Sequence, residues 1–172
     1  MNTQQRNELA ERQKTFLRTN IPQLEMGAIE IDWFLDGLED ITRIMTESAI
    51  IHTANVDEWA TYLRKHYPRT AEETIQHESQ HARVIKQYGI PVKYGLIILD
   101  DSELHRAIKT PRWMIPAVYQ AFVTDYPKDV VRREQWDRNK FLRYFHEVST
   151  APENLSDIDA AIRPTSSSSS QK

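Results

Sequence analysis

Residues 77 to 81 read His77-Glu78-Ser79-Gln80-His81, and no other short stretch of the chain proposes a reaction. Positions four apart on an α-helix lie one above the other on the same face. The two imidazoles can therefore converge on one tetrahedral metal ion, with the intervening glutamate set to touch a water on that metal. Zinc lowers the pKa of such a water toward neutrality, and a carboxylate can take its proton as it attacks a carbonyl. His77 and His81 are thus candidate metal ligands, Glu78 is the candidate general base, and Zn2+ is the expected cofactor.

This chemistry needs a helix, and signals outside the pentad call for one over residues 70–88. Pro68 disfavours helical geometry in Tyr67 and separates the preceding segment. Thr70-Ala71-Glu72-Glu73 has the form of a capping box, in which the threonine oxygen and Glu73 serve free amides at the helix start. Neither proline nor glycine interrupts residues 70–88, and Gly89 followed by Pro91 is a stop signal.

The run Thr74-Ile75-Gln76-His77-Glu78-Ser79-Gln80-His81-Ala82 resembles the extended signature of the zinc metallopeptidases called zincins. Ile75, Ser79, Gln80 and Ala82 supply the uncharged positions of that signature, while Arg83 departs from it. The resemblance covers about one helix. It implies hydrolysis of a peptide or protein substrate, and a third protein ligand to the metal. The branch with a histidine six residues beyond the pentad is excluded, because Val84 and Gln87 stand where its glycine and histidine would be. The gluzincin branch instead takes a glutamate from a helix downstream, and Glu134 is the candidate.

Residues 127–148 read as one amphipathic helix, with Val130, Val131, Phe141, Leu142, Phe145 and Val148 on one side. Glu134 falls near the middle of that apolar arc. A carboxylate there must meet a cation, a donor or a metal, or lie at the rim. The aspartate that the gluzincin pattern carries four residues later is displaced by one, since position 138 is Arg138 and the acid is Asp137. His105, in a polar stretch, reads as a loop histidine. His52, His66 and His146 read as residues near helix ends, where a cation suits the helix dipole. Tyr94 and Tyr119 could steady an oxyanion, but the sequence singles out neither.

The elements that must position these groups are mostly helical. Residues 4–18 read as a helix that Pro22 ends, residues 28–51 as an amphipathic helix, and residues 55–66 as a short helix burying Trp59 and Leu63. Residues 92–99 are the best strand, and 117–123 read as an apolar helix after a turn framed by Pro111 and Pro116. The expected class is α+β, predominantly helical, with a zincin-like metal helix and one small or reduced sheet. Residues 1–162 form one domain, including a last short helix capped by Ser156, and residues 163–172 a disordered Ser-rich tail.

Composition narrows the functions. At 172 residues the chain can bury a sizeable core, with 40% hydrophobic and 27% charged residues. A net charge of −3 proposes neither nucleic acid nor acidic lipid as partner. The absence of cysteine removes disulfides, thiolate metal sites and cysteine nucleophiles. No signal peptide or membrane span is legible, so a cytoplasmic location is expected. The oligomeric state is not encoded in any visible pattern. Two further classes remain open. Glu78-Ser79-Gln80-His81 is also the Glu-x-x-His of ferritin-like di-metal bundles, although the second such motif is missing. The pentad can also belong to a non-catalytic metal-binding or interaction domain.

Overall fold

The structure is a computed structural model that describes residues 1–100 and 118–152. His105, the Pro111–Pro116 turn, the helix expected after Ser156 and the Ser-rich tail lie outside the described residues. Element order is α1 (Thr3–Glu25), α2 (Ile31–Ser48), β1 (Ile51–Thr53), α3 (Val56–His66), α4 (Ala71–Gln87), β2 (Val92–Leu99), β3 (Val118–Asp125), α5 (Lys128–Arg133) and α6 (Arg138–Thr150). The chain is α+β and predominantly helical, with one three-stranded antiparallel sheet in the order β1-β2-β3. Among the described residues no helix is long and apolar enough to cross a membrane.

The central strand β2 is buried along nearly its whole length. On one side Tyr94 and Leu96 join the main core, built with Leu17, Phe34, Trp59, Leu63, Ile85 and Phe141. Ile97, Leu99 and Phe122 form a smaller apolar cluster. Trp59 of α3 ties helix to sheet: its Nε1 donates to the Gly95 carbonyl at 3.0 Å and its ring packs on Tyr94. Gly95 pairs with Phe122 across the ladder. A Cβ there would collide with the Phe122 ring, so glycine is what lets that ring cover β2.

The strand at 92–99 and the helix at 56–66 are where the sequence puts them, the latter capped by the Asn55 side chain. Four expectations are corrected. α1 runs through Pro22 to Glu25; burial of Leu17 and Leu24, each 1% exposed, outweighs one missing amide donor. The second helix, expected to reach residue 51, stops at Ser48, and residues 51–53 form β1 with Ile51↔Leu96 and Thr53↔Tyr94 paired, which takes His52 off a helix end. Residues 118–125 are a strand instead of an apolar helix, because β2 offers an edge to pair from Val92↔Asp125 to Leu99↔Val118. A short apolar run cannot declare its own period.

The fourth correction concerns the element carrying Glu134. The single helix expected over 127–148 is two. α5 ends at Arg133, Gln135 takes a left-handed φ of 50°, and Asp137 caps α6 by accepting from the Lys140 amide at 2.7 Å. The turn drives the Trp136 indole against Tyr88 and Tyr144, an aromatic contact a straight helix could not make. Asp137, out of register as a partner of a ligand glutamate, is an N-cap.

Candidate functional site

α4 forms as its stop signal predicts, with Gly89 at φ 73° closing it. The capping box does not form. Thr70 is the N-cap, but its side chain makes no cap bond. Its hydroxyl shares a 2.7 Å hydrogen bond with Tyr119 Oη, and Thr74 shares another at 2.8 Å. A tertiary partner on β3 has taken the group a local cap would use. The exchange pins the first turn of α4 to β3 and sets His77 about one turn further along.

The far end of α4 is pinned to α6. Tyr88 donates to Glu147 at 2.6 Å, and burial followed by that bond pushes the Tyr88 phenol up to about 12. His81 Nδ1 lies 2.7 Å from the Val148 carbonyl oxygen. A carbonyl only accepts, so Nδ1 carries a proton and the lone pair of the neutral ring is on Nε2. His81 is buried and His77 half-buried. Their rings meet edge to face with centroids 5.2 Å apart, so the pair predicted from spacing is assembled.

His77, Glu78, His81 and Ile85 form one stripe of α4 along a cavity of about 710 Å³. α1 closes it with Arg6, Ala10 and Lys14, β3 contributes residues 120–125, and α6 contributes Phe145 and Val148. The cavity shares Thr124, Asp125 and Phe145 with a neighbouring one of about 720 Å³ between α2 and α6.

Glu134 is elsewhere. Its carboxylate accepts from Trp136 Nε1 at 2.8 Å and lies 3.6 Å from Lys140 Nζ, with the side chain 43% exposed. The Trp136 bond is the main cause holding its pKa below the ordinary carboxylate range. The donor-and-cation alternative accounts for this residue, and the structure does not bring it to the histidines. Of the two tyrosines, Tyr119 binds the α4 threonines, and Tyr94 accepts from Lys86 Nζ at 3.1 Å.

The acid that sequence reasoning missed is Asp125, at the end of β3. Its carboxylate accepts a hydrogen bond from Tyr144 of α6. Burial is the largest influence on it and pushes its pKa up, against the Tyr144 bond and the nearby His81, which favour the charged form. The Tyr144 hydroxyl is pushed up as well, by burial first and by Asp125. The only signal in the sequence was an acid ending a β-branched run, Val123-Thr124-Asp125. It was hidden once that run was read as helical.

A stability test follows from the sign of this shift. With its folded pKa above the unfolded value near 4, Asp125 binds a proton more tightly in the native state. Its contribution is then complete at lower pH and is lost as pH rises through the folded pKa. Asp125→Asn, which still accepts from Tyr144, removes that loss. In denaturant titrations the stability of the variant relative to wild type is expected to grow as pH rises above about 4. A constant difference from pH 4 to pH 7 would remove the argument.

For a metal, the two imidazoles are suitable. Anchoring one ring nitrogen on a carbonyl is the usual outer-shell arrangement of a ligating histidine. A catalytic zinc takes three protein donors, and among the described residues no group of three His, Cys, Asp or Glu side chains is placed to hold an ion. The fit is therefore to a pair of ligands, with the third donor unassigned. Comparison with protein-family models, with curated proteins and with solved structures finds no match to this chain.

Proposed function

We propose that the chain is a zinc-dependent hydrolase acting on a peptide or other amide, similar to the zinc metallopeptidases. His77 and His81 would hold the cation, and Glu78 would act as general base. The observation that carries the reading is the paired rings of His77 and His81 on the cavity wall that also bears Glu78, one ring oriented through Nδ1 by the Val148 carbonyl. A divalent cation there supplies Lewis acidity, which polarises an amide carbonyl and makes a water more acidic. Glu78, one residue from His77, takes the proton of the attacking water and can return it to the leaving nitrogen. Ile85, Phe145 and Val148 add apolar surface to the wall beside these groups.

A second reading, a non-catalytic binding domain, is favoured by the engagement of both candidate acids, Glu134 with Trp136 and Lys140, and Asp125 with Tyr144. Metal content separates the two. Wild-type protein equilibrated with zinc and then desalted is expected to retain about one equivalent per chain. His77→Ala is expected to lose it, and chelator should lower the melting temperature of wild type but not of that variant. His77 suits the test better than His81, whose removal also strips the Val148 carbonyl of its donor. Wild-type protein retaining no zinc would remove the hydrolase reading.

A further inference from the structure

His52 of β1 reaches across the whole sheet. It pairs with Gly95 of β2, which pairs in turn with Phe122 of β3, and the three share one face. Gly95 brings no side chain into that row. The imidazole therefore stacks beside the Phe122 ring, with centroids 6.2 Å apart and planes 27° from parallel. Its Nε2 stands 2.9 Å from the buried Thr124 Oγ1 and 3.4 Å from Tyr126 Oη, and the two hydroxyls are 3.4 Å apart. Thr124 and Tyr126 both line the cavity of about 720 Å³ between α2 and α6. One ring thus ties β1 to the stretch of β3 that walls this cavity.

The surroundings favour the neutral ring. Lys93, opposite Thr124 in the ladder, stands on the same face with its Nζ 5.6 Å from the centre of the Tyr126 ring. α2 packs Met45 and Ala49 against the cluster that holds Phe122. Its Arg43, on the cavity wall, pairs with Asp40 at 3.1 Å. Glu58 of α3 accepts from Thr53 at 3.0 Å, a residue that alternation turns to the other face of β1. Burial first, and then Lys93, holds the His52 pKa below its ordinary value near 6.5. A proton added here takes the lone pair away from the hydroxyls and sets a second cation beside Lys93.

We propose that His52 is an acid-sensitive latch of the sheet: as the neutral ring it fastens β1 to Thr124 and Tyr126, and protonation releases them and loosens this wall of the cavity. The device needs neither metal nor turnover, so it stands or falls apart from the hydrolase reading. Its contribution is complete above the unfolded pKa near 6.5 and is lost as pH falls through the lower, folded value.

The test is NMR on the full chain from about pH 7.5 to about pH 5, the range in which histidine switches. The His52 Cε1 proton is expected to titrate below about 6.5. Amide exchange, referred to the intrinsic rate at each pH, reads the latch itself. The Tyr126 amide donates to the Pro91 carbonyl at 3.1 Å, so the alternate amides of Phe122 and Thr124 also point at β2. Protection of these amides, and of Ile50 bonded to the Leu96 carbonyl at 2.8 Å, is expected to fall on acidification. The fall should approach about tenfold for each unit by which the folded pKa is lowered, while α4 amides keep theirs. In His52→Phe, which keeps a ring on Phe122 and cannot titrate, the fall should vanish. A His52 titration at or above the ordinary value, unchanged protection, an equal fall in α4, or the same fall in His52→Phe would overturn the latch.

Discussion

Glu78→Gln is expected to leave bound zinc unchanged and to lower amide hydrolysis by about 10²–10⁴-fold, the usual contribution of a positioned general base. The two side chains have nearly the same shape, so the α4 face and its cavity should persist, while the carboxylate's charge and its capacity to take a proton are lost. Because the attacking water must be deprotonated in the transition state, the loss should fall on kcat and leave KM nearly unchanged. Metal analysis alongside single-turnover rates separates the outcomes. Loss of zinc in the variant would make Glu78 a ligand or its support, and undiminished turnover would take the base role from it.

Trp59→Ala is expected to cause the largest loss of stability, about 3–5 kcal/mol, against about 5–15 kcal/mol for the whole of a typical domain. Trp59 is fully buried, packs on Tyr94 and donates to the Gly95 carbonyl at 3.0 Å. Truncation opens a cavity between α3 and β2 and leaves that carbonyl without its indole donor. Trp59→Phe keeps most of the packing and loses only the donor, so it should cost about 1–3 kcal/mol. Urea denaturation of the three proteins checks both values. Equal midpoints for wild type and Trp59→Ala would mean that α3 is not the clamp on the sheet that its contacts describe.

The local elements that stand as read share one property, a periodic or terminal signal contained within about twenty residues. An uninterrupted run from 70 to 88 closed by Gly89 is enough to make α4, and helical pitch then obliges His77 and His81 to share a face. Val92–Leu99 is rich enough in β-branched residues to be a strand in any setting. The readings that changed lacked such closure. Residues 118–123 are apolar except for Gln120, a run too short to declare its period, and only the β2 edge selects a strand. The break at Glu134–Asp137 is driven by Trp136 packing on Tyr144 and on Tyr88, the latter far away in sequence. Thr70 had a local use for its hydroxyl and a better one on Tyr119.

The candidate site divides along the same line. That two imidazoles and a carboxylate occupy one turn of one helix is legible before any folding, since rise and rotation per residue are the same in every α-helix. What faces them was decided by tertiary structure alone. Arg6 of α1 and Asp125 of β3 come from distant parts of the chain, and they line the same cavity as the α4 stripe because strand pairing, the Tyr119 and Val148 hydrogen bonds and burial of the core bring α1, β3 and α6 around it. Those are contacts between residues tens of positions apart, whose partners no local period can specify.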